Sequence, residues 1–136
     1  MKLHWSLSLA ICVAAGVCVI SARSKAEPRA ELRDFMRVKL KHSQAAIEGL
    51  VSDDLEKVAK SAQEMSLLSL AETWQVLNTP QYIEFSRKFR QAADALSDAA
   101  KKNNLDRATT AFNNVTTKCV ECHKYVRDVR MASAGQ

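Results

Sequence analysis

The chain has 136 residues, of which 26% are charged and 47% hydrophobic, and its formal net charge is +5. These values suit one domain with its own apolar core. They argue against a nucleic-acid-binding protein, because the basic excess is small and no basic patch with interleaved aromatic residues is present.

Residues 1–26 have the pattern of an export signal. A basic start precedes an uncharged, mostly apolar run over residues 5–20, and residues 24–26 supply the small side chains of a cleavage site. The run is short for a membrane-spanning helix, which needs about 20 apolar residues. Cleavage removes three basic residues and lowers the net charge from +5 to +2. We therefore predict a periplasmic protein. An uncleaved anchor at the outer face of the inner membrane is the alternative.

Residues 27–136 form the predicted domain, and their pattern is helical throughout. The segment contains two glycines, two prolines and no alternating strand pattern. The first predicted helix runs from about Arg29 to Leu50. Its apolar stripe consists of Leu32, Phe35, Met36, Leu40, Ile47 and Leu50.

The second predicted helix begins near Asp53, with Ser52 as the candidate N-cap, and ends near Leu70. Its stripe consists of Leu55, Val58, Ala62 and Met65. A connector containing Trp74 and Asn78 follows.

Two further helices complete the domain. Thr79-Pro80 has the pattern of an N-cap followed by a first helical residue, and the third stripe is Tyr82, Phe85, Phe89, Ala92, Leu96 and Ala99. After a break at Asn103-Asn104, the fourth stripe is Leu105, Ala108, Phe112, Val115, Cys119, Cys122, Val126 and Val129. Four helices with short links predict an all-α, up-down-up-down antiparallel bundle.

The fourth helix carries Cys119-Val120-Glu121-Cys122-His123, which is the C-x-x-C-H attachment sequence for a c-type haem. The two thiols of such a motif form thioethers with the haem vinyl groups, and the histidine is the proximal iron ligand. At about 100° per residue, all three side chains fall on one face of a helix. The sequence therefore predicts one covalently bound haem per chain.

Three other interpretations of the motif compete with haem attachment. A zinc site needs a second Cys or His pair, and none lies outside the N-terminal segment. A thioredoxin-type motif follows a strand in a βαβ unit, which this pattern lacks. A local disulfide between Cys119 and Cys122 in a haem-free bundle is the third alternative, and it leaves His123 without a role.

The chain resembles the class II c-type cytochromes, the cytochrome c′ and cytochrome c556 group, over essentially the whole of residues 27–136. The resemblance rests on Met36 early in the first helix, on Trp74 and then Pro80 before the third, and on the C-x-x-C-H motif near the C-terminus. Members commonly end Cys-His-x-x-Tyr-Arg. Here Arg127 keeps its position and Tyr125 comes one residue early.

The resemblance implies a four-helix bundle with haem near one end, and helix geometry agrees. At about 1.5 Å per residue, His123 and Met36 lie at about the same depth, roughly 10 Å from that end. A predicted apolar pocket at this level consists of Leu40, Met65, Phe85 and Phe89.

The sixth iron ligand determines the predicted function. Met36 faces inward and matches the ligand position of the cytochrome c556 type, whereas Met65 is a competitor and a packing role for either is the alternative. We predict a Met-ligated, low-spin iron that serves in one-electron transfer, with an open site as the alternative. An open site would bind nitric oxide or carbon monoxide. Arg127 is a candidate propionate contact, or otherwise a solvated arginine.

The predicted partners follow from this interpretation. They are redox proteins of the periplasm and the machinery that attaches c-type haem, with no nucleic acid and with a homodimer left open. No acid/base pair or nucleophile arrangement beyond the haem is present, so we predict that the protein is not an enzyme.

Overall fold

The computed structural model of this chain describes residues 28–71, 77 and 79–135. Four helices contain most of these residues: α1 (Pro28–Val51), α2 (Leu55–Leu68), α3 (Pro80–Lys101) and α4 (Leu105–Ala134). Each helix packs against the next one in the chain, and α1 also meets α4, but over a smaller area. The predicted four-helix bundle is confirmed.

Several predictions lie outside the described residues, namely the export segment 1–26, Trp74 and Asn78. Within the described part of the chain, none of the helices is both long enough and apolar enough to cross a membrane.

A tight turn joins α1 to α2. Asp53 adopts a left-handed backbone conformation with φ 56°, and the Asp54 N–H donates to the Gly49 carbonyl at 2.8 Å. The predicted N-cap, Ser52, is wrong. Asp54 caps α2 instead, by accepting a hydrogen bond from the Lys57 N–H at 3.0 Å. The difference arises because α1 extends further than predicted, which leaves Ser52 in the turn.

Gly49 allows α1 and α2 to approach closely. A β-carbon at this position would lie 2.8 Å from both the Asp54 carbonyl oxygen and a methyl group of Val58. Since real β-carbons do not tolerate such distances, only glycine suits this position. The close approach requires the face of α1 that carries Gly49 to turn toward α2, and this sets the rotation of α1 about its own axis.

This rotation corrects part of the predicted α1 stripe. Leu40 and Ile47 are 57% and 48% exposed, whereas Ala46 is fully buried and Lys39 is only 7% exposed. Lys39 and Ala46 are seven residues apart and therefore share one helical face. The inward face of α1 thus carries a lysine where the apolar pattern placed a leucine.

The start of α3 follows the predicted capping pattern, and α4 begins after the predicted break at Asn103-Asn104. Thr79 Oγ1 accepts a hydrogen bond from the Tyr82 N–H at 3.2 Å, with Pro80 as the first helical residue. Asn104 caps α4 by accepting from the Arg107 N–H at 2.9 Å. Both caps satisfy backbone donors that have no partner within the helix.

The core is built from small and medium apolar side chains of all four helices, with alanine the commonest. Its fully buried members include Val58, Leu96 and Val115. The small side chains let the helices pack closely along the middle of the bundle and toward the α1–α2 turn. At the opposite end the core stops at Met65 and Phe89, and the interior opens into a cavity.

Tyr125 joins α4 to the start of α3. Its hydroxyl lies 2.8 Å from Thr79 Oγ1, and its ring centroid is 5.4 Å from that of Phe85. A threonine hydroxyl can accept two hydrogen bonds. The N-cap oxygen that accepts from Tyr82 can therefore also accept one from Tyr125.

We expect Tyr125→Phe to lower the free energy of unfolding by about 1 kcal/mol, because it removes this hydrogen bond and keeps the ring contact with Phe85. Urea unfolding followed by circular dichroism measures the change. Tyr125→Ala is the comparison, since it removes both contacts and should cost more. An unchanged midpoint for Tyr125→Phe would show that the hydrogen bond contributes nothing.

Candidate functional site

The C-x-x-C-H motif lies within α4, as the sequence pattern requires. Cys119 and Cys122 are free thiols, one half-buried and the other buried. His123 follows at the exposed rim of the same helix face. The two thiols are therefore available for bond formation, and no disulfide joins them.

A cavity of about 460 Å³ opens against all three motif side chains. Residues from α1, including Met36 and Leu40, form one wall, and the motif residues of α4 form the other. Met65 of α2 and Phe89 of α3 contribute the remaining surface. The lining is mainly apolar, and its volume lies within the range of ligand sites, about 300–1,000 Å³.

A second cavity of about 380 Å³ adjoins the first at the end of the bundle. The two share Met36, Cys122 and His123 on their linings. Arg127 and Arg130 of α4 also line the second cavity. Basic side chains therefore border both cavities, with Arg33 common to the two and Arg37, Lys39 and Lys118 on the first.

The structure brings most of the predicted site residues together. Met36 lines both cavities, Met65 is 1% exposed and lines the first, and Arg127 lines the second. Leu40 lines the first cavity although it is largely exposed. Phe85 lines neither cavity and packs against Tyr125 instead.

Lys39 is a site residue that the sequence analysis missed. It lines the first cavity from α1, and its Nζ donates a hydrogen bond to Ser69 Oγ at 2.9 Å. The same nitrogen lies 3.5 Å from the centre of the Phe89 ring, in a cation–π arrangement. The sequence contains one indication that Lys39 faces the site, which is its spacing. Lys39 is seven residues from Leu32 and three from Met36 on one helix face.

Burial controls the protonation of these groups. Desolvation lowers the pKa of Lys39 to about 7, although the neighbouring Cys119 and Cys122 act in the opposite direction. Burial raises the pKa of both thiols, and the charge of Lys39 partly opposes that rise. The thiols are therefore protonated near neutral pH.

His123 is held in its neutral form. Desolvation on its cavity side lowers the pKa of the imidazole, and the positive charges of Arg127 and Lys39 lower it further. Only the neutral imidazole can bind a metal through nitrogen. The described residues contain no cluster of three or more His, Cys, Asp or Glu side chains that could bind a metal ion on their own.

No protein-family model and no curated protein sequence matches the chain. Among solved structures, the chain is similar to a nitric oxide complex of a point mutant of cytochrome c prime from Alcaligenes xylosoxidans. The TM-score is 0.59 at 18% identity, over 73% of this chain and 94% of that one.

The chain therefore has the four-helix fold of a class II c-type cytochrome. Cytochrome c prime is a structural neighbour within that class. The resemblance inferred from the sequence is confirmed at the level of the fold.

Proposed function

We propose that this protein is a c-type haem protein. Cys119 and Cys122 would carry one haem through thioether bonds, and His123 would be the proximal ligand. The observation that carries the proposal is the cavity of about 460 Å³, with a mainly apolar surface, that opens against all three of these side chains. The cytochrome c prime fold supports it.

The residues of the site fit a haem in chemistry as well as in position. Free thiols are the groups that form thioethers, and a neutral imidazole nitrogen is a suitable iron ligand. Met65 and Phe89 would exclude water from the buried part of the group. Arg127 and Arg130, which line the second cavity, would neutralise carboxylates such as the propionates.

When bound, haem iron supplies one-electron redox chemistry and an axial position for small ligands. We propose that the side opposite His123 admits nitric oxide or carbon monoxide. Support comes from the volume between α1 and α4 and from the structural neighbour, which is itself a nitric oxide complex. The role is binding rather than catalysis of a reaction.

A second candidate function is one-electron transfer with a His123/Met36 haem. The observation in its favour is that Met36 lines both cavities together with His123. A thioether ligand would fill the axial position and raise the reduction potential. Met65 is the other methionine of the first cavity, and its near-complete burial suits packing.

Absorption spectra of the purified ferric and ferrous protein, with and without carbon monoxide, distinguish the two functions. We expect high-spin ferric iron and immediate binding of carbon monoxide. Met36→Ala should leave both properties nearly unchanged. Met65→Ala is the control for packing, and it should cost roughly 2–5 kcal/mol of stability with the spectrum kept.

A different set of spectra would favour electron transfer. A low-spin ferric spectrum with a sulfur-to-iron charge-transfer band, lost in Met36→Ala, would replace the gas-binding function by electron transfer. Loss of the band in Met65→Ala alone would make Met65 the ligand.

We further propose that the protein works in the periplasm after export through residues 1–26. Its proposed partners there are the machinery that attaches c-type haem and redox proteins that reduce or oxidise the iron, and a homodimer is left open. The support is the pattern of the N-terminal segment and the cytochrome c prime fold. The mass of protein purified from the periplasm, compared with that of residues 27–136 plus one haem, tests the proposal.

A further inference from the structure

Lys39 stands out among the residues of the first cavity. It is only 7% exposed, whereas the other basic residues of the lining are exposed or half-buried, namely Arg33, Arg37 and Lys118. Burying a charge costs free energy unless the surroundings compensate for it. A methionine or leucine would fill the same space without that cost, so the position of Lys39 calls for a physical explanation.

The contacts of the Lys39 ammonium include residues at the end of α2 and on α3. Ser69, at the C-terminal end of α2, accepts its hydrogen bond at 2.9 Å and itself donates to the Met65 carbonyl at 2.8 Å. The Phe89 ring of α3 lies against the same nitrogen. These contacts hold the nitrogen in one place and keep the side chain from extending to solvent.

The cavity also brings Lys39 close to the proposed haem. Its charge acts on Cys119, Cys122 and His123, which lie on the α4 wall of the same cavity. Lys39 lies one helical turn from Met36, on the same face of α1. A ligand in the space between α1 and His123 would therefore be within the field of a buried cation, where the low dielectric strengthens the attraction.

We propose that Lys39 makes this cavity a site for small monovalent anions, of the class of azide and cyanide, held between the haem iron and the Lys39 ammonium. The inference rests on the proposed haem function and specifies that the ligand of this site is an anion. An anion gains from Lys39 both through Coulomb attraction and through charge-assisted contact. A neutral diatomic ligand gains far less.

The experiment is a titration of the haem-loaded ferric protein with azide at about pH 6, where azide is still an anion and Lys39, whose pKa is lowered to about 7, carries its charge. Absorption spectra report binding. Lys39→Met keeps the length and apolar stem of the side chain and removes its charge. Lys41→Met is the matched control, since it removes the same charge from an exposed position on the same helix. Carbon monoxide binding to the ferrous protein is measured for all three proteins.

We expect Lys39→Met to weaken azide binding by about 10- to 100-fold, which corresponds to the loss of one charge-assisted contact. Its carbon monoxide affinity should change by less than about threefold, and Lys41→Met should match the original protein for both ligands. Lys39→Gln serves if Lys39→Met fails to fold, because it retains a hydrogen-bond donor for Ser69 and also lacks the charge.

Three results would overturn the inference while leaving the haem function intact. The first is equal azide affinity in the original protein and both Lys39 variants. The second is a protein with a normal haem spectrum that binds no azide. The third is an equal loss of azide and carbon monoxide affinity, which would mean that the substitution altered the shape of the pocket. A chain that carries no covalent haem would instead overturn the proposed function, and this inference with it.

Discussion

Replacing both Cys119 and Cys122 with alanine is expected to yield protein from which every haem is lost on denaturation. Among the residues that the structure describes, these two thiols are the only ones on the wall of the cavity, and they lie one helical turn apart on α4. A thioether survives acid-acetone extraction and denaturing electrophoresis, whereas a haem bound only through iron and apolar contacts does not. The expected change is therefore from complete retention to complete loss.

In-gel haem staining together with the mass of the intact protein measures the result. Each single cysteine variant should retain one thioether and show a shifted haem spectrum, because one vinyl group remains unreacted. Val120→Ala is the matched control, since Val120 lies between the two cysteines on α4 and is exposed. Haem that stays with the double variant through denaturation would refute the proposed attachment.

Removal of haem is expected to unfold one end of the bundle. The first cavity alone is about 460 Å³. At about 24 cal/mol per Å³, an empty and closed cavity of that size would cost on the order of 10 kcal/mol. Total stabilities of domains are about 5–15 kcal/mol. Entry of water from the open side reduces this cost, but it also exposes apolar surface of Met65 and Phe89.

Without haem, structure should be lost unevenly along the bundle. Amide hydrogen exchange of protein made without haem should be slow around Val58, Leu96 and Ala108, which belong to the closely packed core. It should be fast near Met36 and His123, whose helices meet over a smaller area and border the cavity. Thermal unfolding should be broad and begin well below that of the haem-loaded protein.

The cysteine double variant, stripped of non-covalent haem by acid-acetone extraction and returned to buffer, provides the haem-free sample, and Val120→Ala with haem provides the comparison. A sharp, cooperative transition of the haem-free protein at the temperature of the loaded one would contradict the prediction. Uniform exchange protection along α1 and α4 would also contradict it.

Much of the fold could be predicted from the sequence, because it depends on interactions between residues close in the chain. Thr79 and Pro80 define the start of α3 through a side-chain cap and a fixed φ, and Asn104 caps α4. The spacing of Cys119, Cys122 and His123 places them on one face of any helix. Helix number, the start of α3 and the candidate haem motif follow from such local rules, whereas the cap of α2 was predicted at Ser52 and is Asp54.

The rotation of α1 was decided by tertiary structure alone. Leu40 and Lys39 are neighbours in sequence, and an apolar stripe could be drawn through the leucine. The absence of a side chain at Gly49 lets α1 approach α2 at Val58, and this contact turns Lys39 inward and Leu40 outward. Which residues share the haem cavity therefore depends on packing between helices. A buried cation beside that cavity could be found only once the helices were placed.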